Sequence, residues 1–163
     1  MIPFLFVILY GGFEWSQIFV KHVRASTIGR EAALAAHHDC KDLNKPPAIA
    51  PAVDAPPAPP KESVQDCVNR VRSEMMGKAA LVLPNFMEKG EIIITFYGNE
   101  TASAGGGGDY TSHYSSGTIE PSLLALLDTV VVGEVFYENE LLTPIEGLIE
   151  FIMPRVIYKS TFV

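Results

Sequence analysis

The stretch GEIIITFYGNETASAGGGGDYTSHYSSGTIEPSLLALL, residues 90–127, decides the fold. Residues 91–97 are β-branched and aromatic and form the strongest strand signal in the chain. A flexible loop with four successive glycines is expected over residues 101–112. His113 and Tyr114 are assigned to a short strand that pairs back onto 91–97. After a turn at 115–117, Pro121 fits the first turn of an amphipathic helix that ends at Gly133.

Two further segments complete this unit. A helix is expected from Ser63, which with Asp66 resembles a capping arrangement, to a stop at Gly77. Residues 79–83 are interpreted as a short strand or an extended connection. The last strand covers 149–158, where proline at 154 predicts an edge, a bulge or a bend.

These segments predict an α+β fold, in which a small antiparallel sheet of about three strands packs against two helices. An N-terminal helix and a proline- and alanine-rich linker precede it. The expected division is an N-terminal hydrophobic helix over 1–45, a linker over 46–60 and a binding domain over 61–163. The composition of 46–60 favours polyproline II, which would reach on the order of 45 Å.

The N-terminal 20 residues are apolar except for Glu14, Ser16 and Gln17. Their length favours a membrane anchor, and a protein-buried helix is the alternative because a carboxylate is costly in lipid. A helical pattern continues over 18–36. Lys21, Arg24 and Arg30 follow the apolar run, and the positive-inside rule would place the residues after them in the cytoplasm.

The charge and the cysteines limit the possible functions. All of the net charge of −7 lies in residues 61–163, so nucleic acid is excluded as a partner of this domain. Cys40 and Cys67 are interpreted as two inert thiols, with one bridge across the proline-rich tract as the alternative in an oxidising compartment.

No cofactor or metal motif is found. The glycine tract lacks the spacing of a phosphate-binding loop, and residues 37–40 have no distant second pair of metal ligands. Ser115 or Ser116, His113 and Asp109 could be drawn as a catalytic triad, but a GxSxG elbow is absent. The sequence therefore favours a non-enzymatic protein.

The order of elements resembles the C-terminal domain of the TonB and TolA family of periplasmic energy-transducing proteins. The similarity covers residues 62–160: the strand at 90–96, the SSG turn at 115–117, the following helix over 123–131 and the last strand at 149–158. It implies a periplasmic adaptor with a single-pass inner-membrane anchor in residues 1–20. Its partners would be an inner-membrane motor complex and an outer-membrane receptor or Tol-type protein.

Strand addition at a sheet edge is the expected mode of binding. The predicted partner-binding residues lie on the last strand: Ile149, Phe151, Ile152, Val156, Ile157 and Tyr158. A homodimer through the same strand would also cover this edge. The alternative function is a structural accessory subunit of a larger membrane protein assembly, whose apolar segments contact neighbouring subunits.

Overall fold

The computed structural model describes residues 2–44, 62–114, 128–139 and 156–163. It is an α+β fold, which confirms the predicted class, with a four-stranded antiparallel sheet instead of about three strands. A short 3-10 turn, Lys41–Asn44, follows the first helix. The elements are α1 (Ile2–Cys40), α2 (Val64–Val82), α3 (Phe86–Lys89), β1 (Gly90–Tyr97), β2 (Ala102–Ala104), β3 (Val130–Glu138) and β4 (Val156–Phe162).

The strands lie in the order β2-β1-β3-β4, and all neighbours are antiparallel. In the register, Ile94 pairs with Gly133, which in turn pairs with Thr161. Because side chains alternate along a strand, the sheet has two distinct faces. The face toward the helices carries Ile92, Ile94 and Phe96 of β1, Val131, Val135 and Tyr137 of β3, and Ile157 of β4.

The second half of α1 belongs to the same core as the sheet. Most of its buried side chains are small: Ala25, Ala32, Ala33 and Ala36 are all fully buried, and Ile28 is the larger exception. Small residues allow the helix backbone to approach the strands closely. At the closest point, a Cβ added to Gly133 would lie 2.5 Å from the carbonyl oxygen of Gly29 on α1.

Helix α2 begins as the sequence predicts and ends later. Ser63 is the N-cap and its side chain accepts a hydrogen bond from the backbone N–H of Asp66. The predicted stop at Gly77 is wrong, because α2 continues to Val82, and the extended assignment of 79–83 is wrong over 79–82, whereas Leu83 is extended. A Cβ at Gly77 would meet no atom within 4 Å, so this glycine is an exposed position that the helix tolerates at a cost of about 1 kcal/mol.

The strand assignments need two corrections. The helix predicted to end at Gly133 is wrong over 130–133, because Val130–Gly133 open β3. A short β-branched apolar run suits a buried strand as well as a helix. His113 and Tyr114 form no strand, and the segment that pairs back onto β1 is Ala102–Ala104, within the predicted loop.

Four of the predicted segments lie outside the described residues: the linker at 46–60, the turn at 115–117 and the elements over 121–127 and 149–155.

Cys40 and Cys67 form a disulfide, so the interpretation as inert thiols is wrong. The bridge joins the last residue of α1 to the first turn of α2, with a sequence separation of 27. Both residues are fully buried. The bridge therefore connects the helices on either side of residues 46–60, which the sequence predicts to be a linker.

Candidate functional site

The first half of α1 exposes an unusual amount of apolar surface. Among the described side chains, nine large apolar ones between residues 5 and 20 are exposed, and we call them the apolar belt: Leu5, Phe6, Ile8, Leu9, Tyr10, Phe13, Trp15, Phe19 and Val20. At 3.6 residues per turn they cover about 220° of the helix circumference. A stripe that packs against one partner face is narrower than this. The belt therefore surrounds most of the helix.

The charged groups near the belt point elsewhere. Glu14 is only 2% exposed and lies on the same helical face as Ile18, which is also buried. Lys21 Nζ donates a hydrogen bond of 2.7 Å to Asn139 Oδ1. Burial lowers the pKa of Lys21, and the nearby Glu14 carboxylate opposes this shift. The carboxylate that makes the N-terminal run costly in lipid is thus turned away from the belt.

A groove runs beside α1 where the helix meets the edge strand, and we call it the α1–β4 groove. Its volume is about 490 Å³. Trp15, Ile18, Phe19 and Val23 supply an apolar wall, and its polar lining consists of His22, Ser26, Thr27 and Lys159. Burial lowers the pKa of His22, and the positive charge of Lys159 lowers this pKa further. Two basic groups therefore share one partly apolar groove.

β4 is an edge strand, and within the described residues it pairs with β3 alone. Of the predicted partner-binding residues, Val156 is 39% exposed, Ile157 is fully buried in the core, and Tyr158 is partly buried. Ile149, Phe151 and Ile152 lie outside the described residues. Of these two neighbours, Val156 is therefore exposed and Ile157 is not.

On the face of the sheet opposite α1, Glu134 is fully buried in the middle of β3. Its carboxylate accepts hydrogen bonds from the Ser112 hydroxyl, from the backbone N–H of His113 at 3.0 Å and from the Tyr158 hydroxyl at 3.0 Å. Burial, and to a smaller extent Glu134, raise the pKa of Tyr158 to about 12, although a hydrogen bond with Ser160 acts against this. We call residues 105–113 the glycine-rich segment. Glu134 therefore holds the end of this segment, at Ser112 and His113, against the sheet.

The glycine-rich segment is attached at a second point. Gly106 donates its backbone N–H to Glu91 Oε1 at 2.7 Å. Beside it, Arg72 Nε of α2 donates to the carbonyl oxygen of Ile92 on β1 at 2.7 Å. Gly105 and Gly106 have φ values of 101° and 81°, a region that glycine adopts without steric cost. The tetraglycine tract thus serves a tight turn that returns the chain over the sheet.

The residues drawn as a triad are not brought together as one within the described chain. The ring of His113 packs edge-on against Tyr158, with centroids 4.7 Å apart, and Ser115 and Ser116 lie outside the described residues. Among residues 2–44, 62–114, 128–139 and 156–163, no group of three His, Cys, Asp or Glu side chains could hold a metal ion.

Two features of the site are absent from the sequence predictions. Glu134 is a lone carboxylate inside a run of apolar strand residues, part of which the sequence pattern predicts to be helical. The α1–β4 groove had no sequence signal, because Trp15 and Lys159 are 144 positions apart and meet only through tertiary packing.

Within the described part of the chain, no helix combines the length and apolar character needed to cross a membrane. Comparisons with protein families, with curated proteins and with solved structures found no match to this chain.

Proposed function

We propose that this chain is a structural subunit of a membrane-associated protein assembly. The first half of α1 is seated in lipid, and the disulfide-bonded head, formed by the rest of α1, α2 and the sheet, stands outside it. The observation that carries this proposal is the apolar belt, which covers about 220° of the helix. A helix that is apolar around most of its circumference is stable only in a protein core or in lipid.

The disulfide supports an oxidising compartment as the location of the head. Disulfides persist in oxidising environments and are rare in the reducing cytosol. Cys40 and Cys67 are bridged within the head core, so we place the head on the oxidising side of the membrane. In a cell with two membranes, this side of the inner membrane is the periplasm.

The basic residues after the apolar run do not oppose this orientation strongly. Lys21 is bonded to Asn139, and Arg24 donates to the carbonyl oxygen of Val82 at 2.9 Å. Both cations therefore attach α1 to the head. Their positions have a structural reason that is independent of the positive-inside rule.

A charge within the apolar belt tests the proposal. Leu9 is 69% exposed in the belt, and we expect Leu9→Arg to reduce flotation of the full chain with liposomes by tenfold or more, because arginine in the centre of a lipid-embedded helix costs about 3 kcal/mol. Leu81→Arg is the matched control, since Leu81 is 87% exposed on α2. Equal flotation of the two variants would contradict the proposal, provided that circular dichroism shows both to be folded.

A second candidate function is the adaptor that the TonB and TolA resemblance implies. The specific observation in its favour is the edge position of β4, which pairs with β3 alone within the described residues, because strand addition takes place at such an edge. In this case the partners would be an inner-membrane motor complex and an outer-membrane receptor or Tol-type protein. The head would transmit force instead of contributing to a static assembly.

Crosslinking at adjacent positions of β4 tests the adaptor function. A photoreactive residue at position 156 should capture a partner chain in cells, because Val156 is 39% exposed, whereas the same residue at 157 should not, because Ile157 is fully buried. The products are read by mass spectrometry. Capture of further copies of this chain alone would favour the structural subunit over the adaptor.

A further inference from the structure

The α1–β4 groove changes in chemical character along its length. At its N-terminal end along α1 it is lined by Trp15 and Phe19, which belong to the apolar belt. His22 and Lys159 follow, and Ser26 and Thr27 line the far end. From residue 15 to residue 27, α1 rises about 18 Å. From the end that the proposed function seats in lipid, the aromatic side chains therefore come first, then the basic ones and then the hydroxyls, while Val23 continues the apolar wall past His22.

The groove combines the positive charge of Lys159 with the imidazole of His22, whose pKa is lowered by burial and by Lys159. Lys159 projects from the helix-facing side of β4, since it pairs with Val135 of β3. Neither His22 nor Lys159 has a carboxylate partner within the described residues. An anion in the groove would offset the positive charge of Lys159 and would favour protonation of His22, because opposite charges at short range favour the charged forms.

We infer that the α1–β4 groove binds an anionic phospholipid, with an acyl chain against Trp15 and Phe19 and the phosphate at His22 and Lys159. This inference rests on the proposed seating of α1 in lipid. Ser26 and Thr27 would then face the polar headgroup: the Ser26 hydroxyl can donate and accept hydrogen bonds, whereas the Thr27 hydroxyl, which donates to the Val23 carbonyl oxygen at 3.0 Å, can accept one. The charge complementarity and the continuity of the groove with the apolar belt favour a lipid over a second copy of this chain.

Trp15 allows a direct test, because it is the single tryptophan of the chain and lines the groove. The full chain is reconstituted into phosphatidylcholine vesicles that contain equal mole fractions of either brominated phosphatidylglycerol or brominated phosphatidylcholine. We expect the glycerol lipid to quench Trp15 about fivefold more effectively, since one lysine near an anionic membrane surface, here Lys159, contributes about that factor. The double variant His22→Gln with Lys159→Gln should remove this selectivity. Lys78→Gln, an exposed site on α2, should retain it.

Each alternative outcome contradicts a different part of the inference. Equal quenching by the two brominated lipids in the wild-type chain would overturn the lipid site and leave the proposed function intact, whereas no quenching by either lipid would overturn both. Shielding of Trp15 from both lipids that grows with the protein-to-lipid ratio would identify a second copy as the occupant. Loss of the selectivity on adding inorganic phosphate would show that the groove binds the phosphate group alone. The comparison in the wild-type chain decides the question even if the double variant does not fold.

Discussion

Replacing Gly133 with valine is expected to destabilise the fold by about 3 kcal/mol or more, the upper end of the usual cost of overpacking. A Cβ at this position would lie 2.5 Å from the Gly29 carbonyl oxygen and 3.2 Å from the Cβ of Ala33. Because the nearest atom belongs to the α1 backbone, no side-chain rotation can relieve the contact. The helix must move away from β3, and the alanine contacts of its second half are lost.

Chemical denaturation with a matched glycine variant measures this effect. Gly77→Ala adds a methyl group at a position with no atom within 4 Å, and it should raise the free energy of unfolding by about 1 kcal/mol because alanine is the better helix former. The two substitutions should therefore shift the denaturation midpoint in opposite directions. A valine at 133 that leaves the midpoint unchanged would show that α1 does not approach the sheet at this point.

The contrast between these glycines explains which parts of the fold the sequence could predict. The strand β1 and the Ser63 cap depend on local composition and on contacts three residues apart, and both were predicted. Gly77 and Gly133 are both glycines beside apolar runs, and the sequence assigned a helix end to each. Whether such a glycine ends a helix, lies exposed within one or admits a neighbouring backbone depends on tertiary packing.

In the candidate site, too, the features that depend on local composition could be predicted, and those that depend on tertiary packing could not. An apolar N-terminal run was evident from composition, so the apolar belt could be predicted. The inward orientation of Glu14 and the groove between Trp15 and Lys159 could not be predicted, because they depend on how α1 lies against the sheet. β2 was missed for a related reason: Ala102–Ala104 has little intrinsic strand preference, and its pairing is determined by β1.

The disulfide is the second contact on which the fold depends strongly. We expect reduction of the Cys40–Cys67 bridge to lower the free energy of unfolding by about 3.5 kcal/mol, since a closed loop of this length restricts the unfolded chain by that amount. Most domains have only about 5–15 kcal/mol of stability in total. Both cysteines are fully buried, so a reductant should act efficiently only when denaturant or heat opens the head.

Unfolding curves with and without reductant provide the measurement, and the double variant Cys40→Ala with Cys67→Ala is the control. The wild-type midpoint should fall on reduction, whereas the variant should be less stable from the start and insensitive to the reductant. If the reduced wild-type chain unfolds at the same denaturant concentration as the oxidised chain, the bridge does not support the fold. Placement of the head on the oxidising side of the membrane would then have no energetic basis, because the head would be equally stable in a reducing compartment.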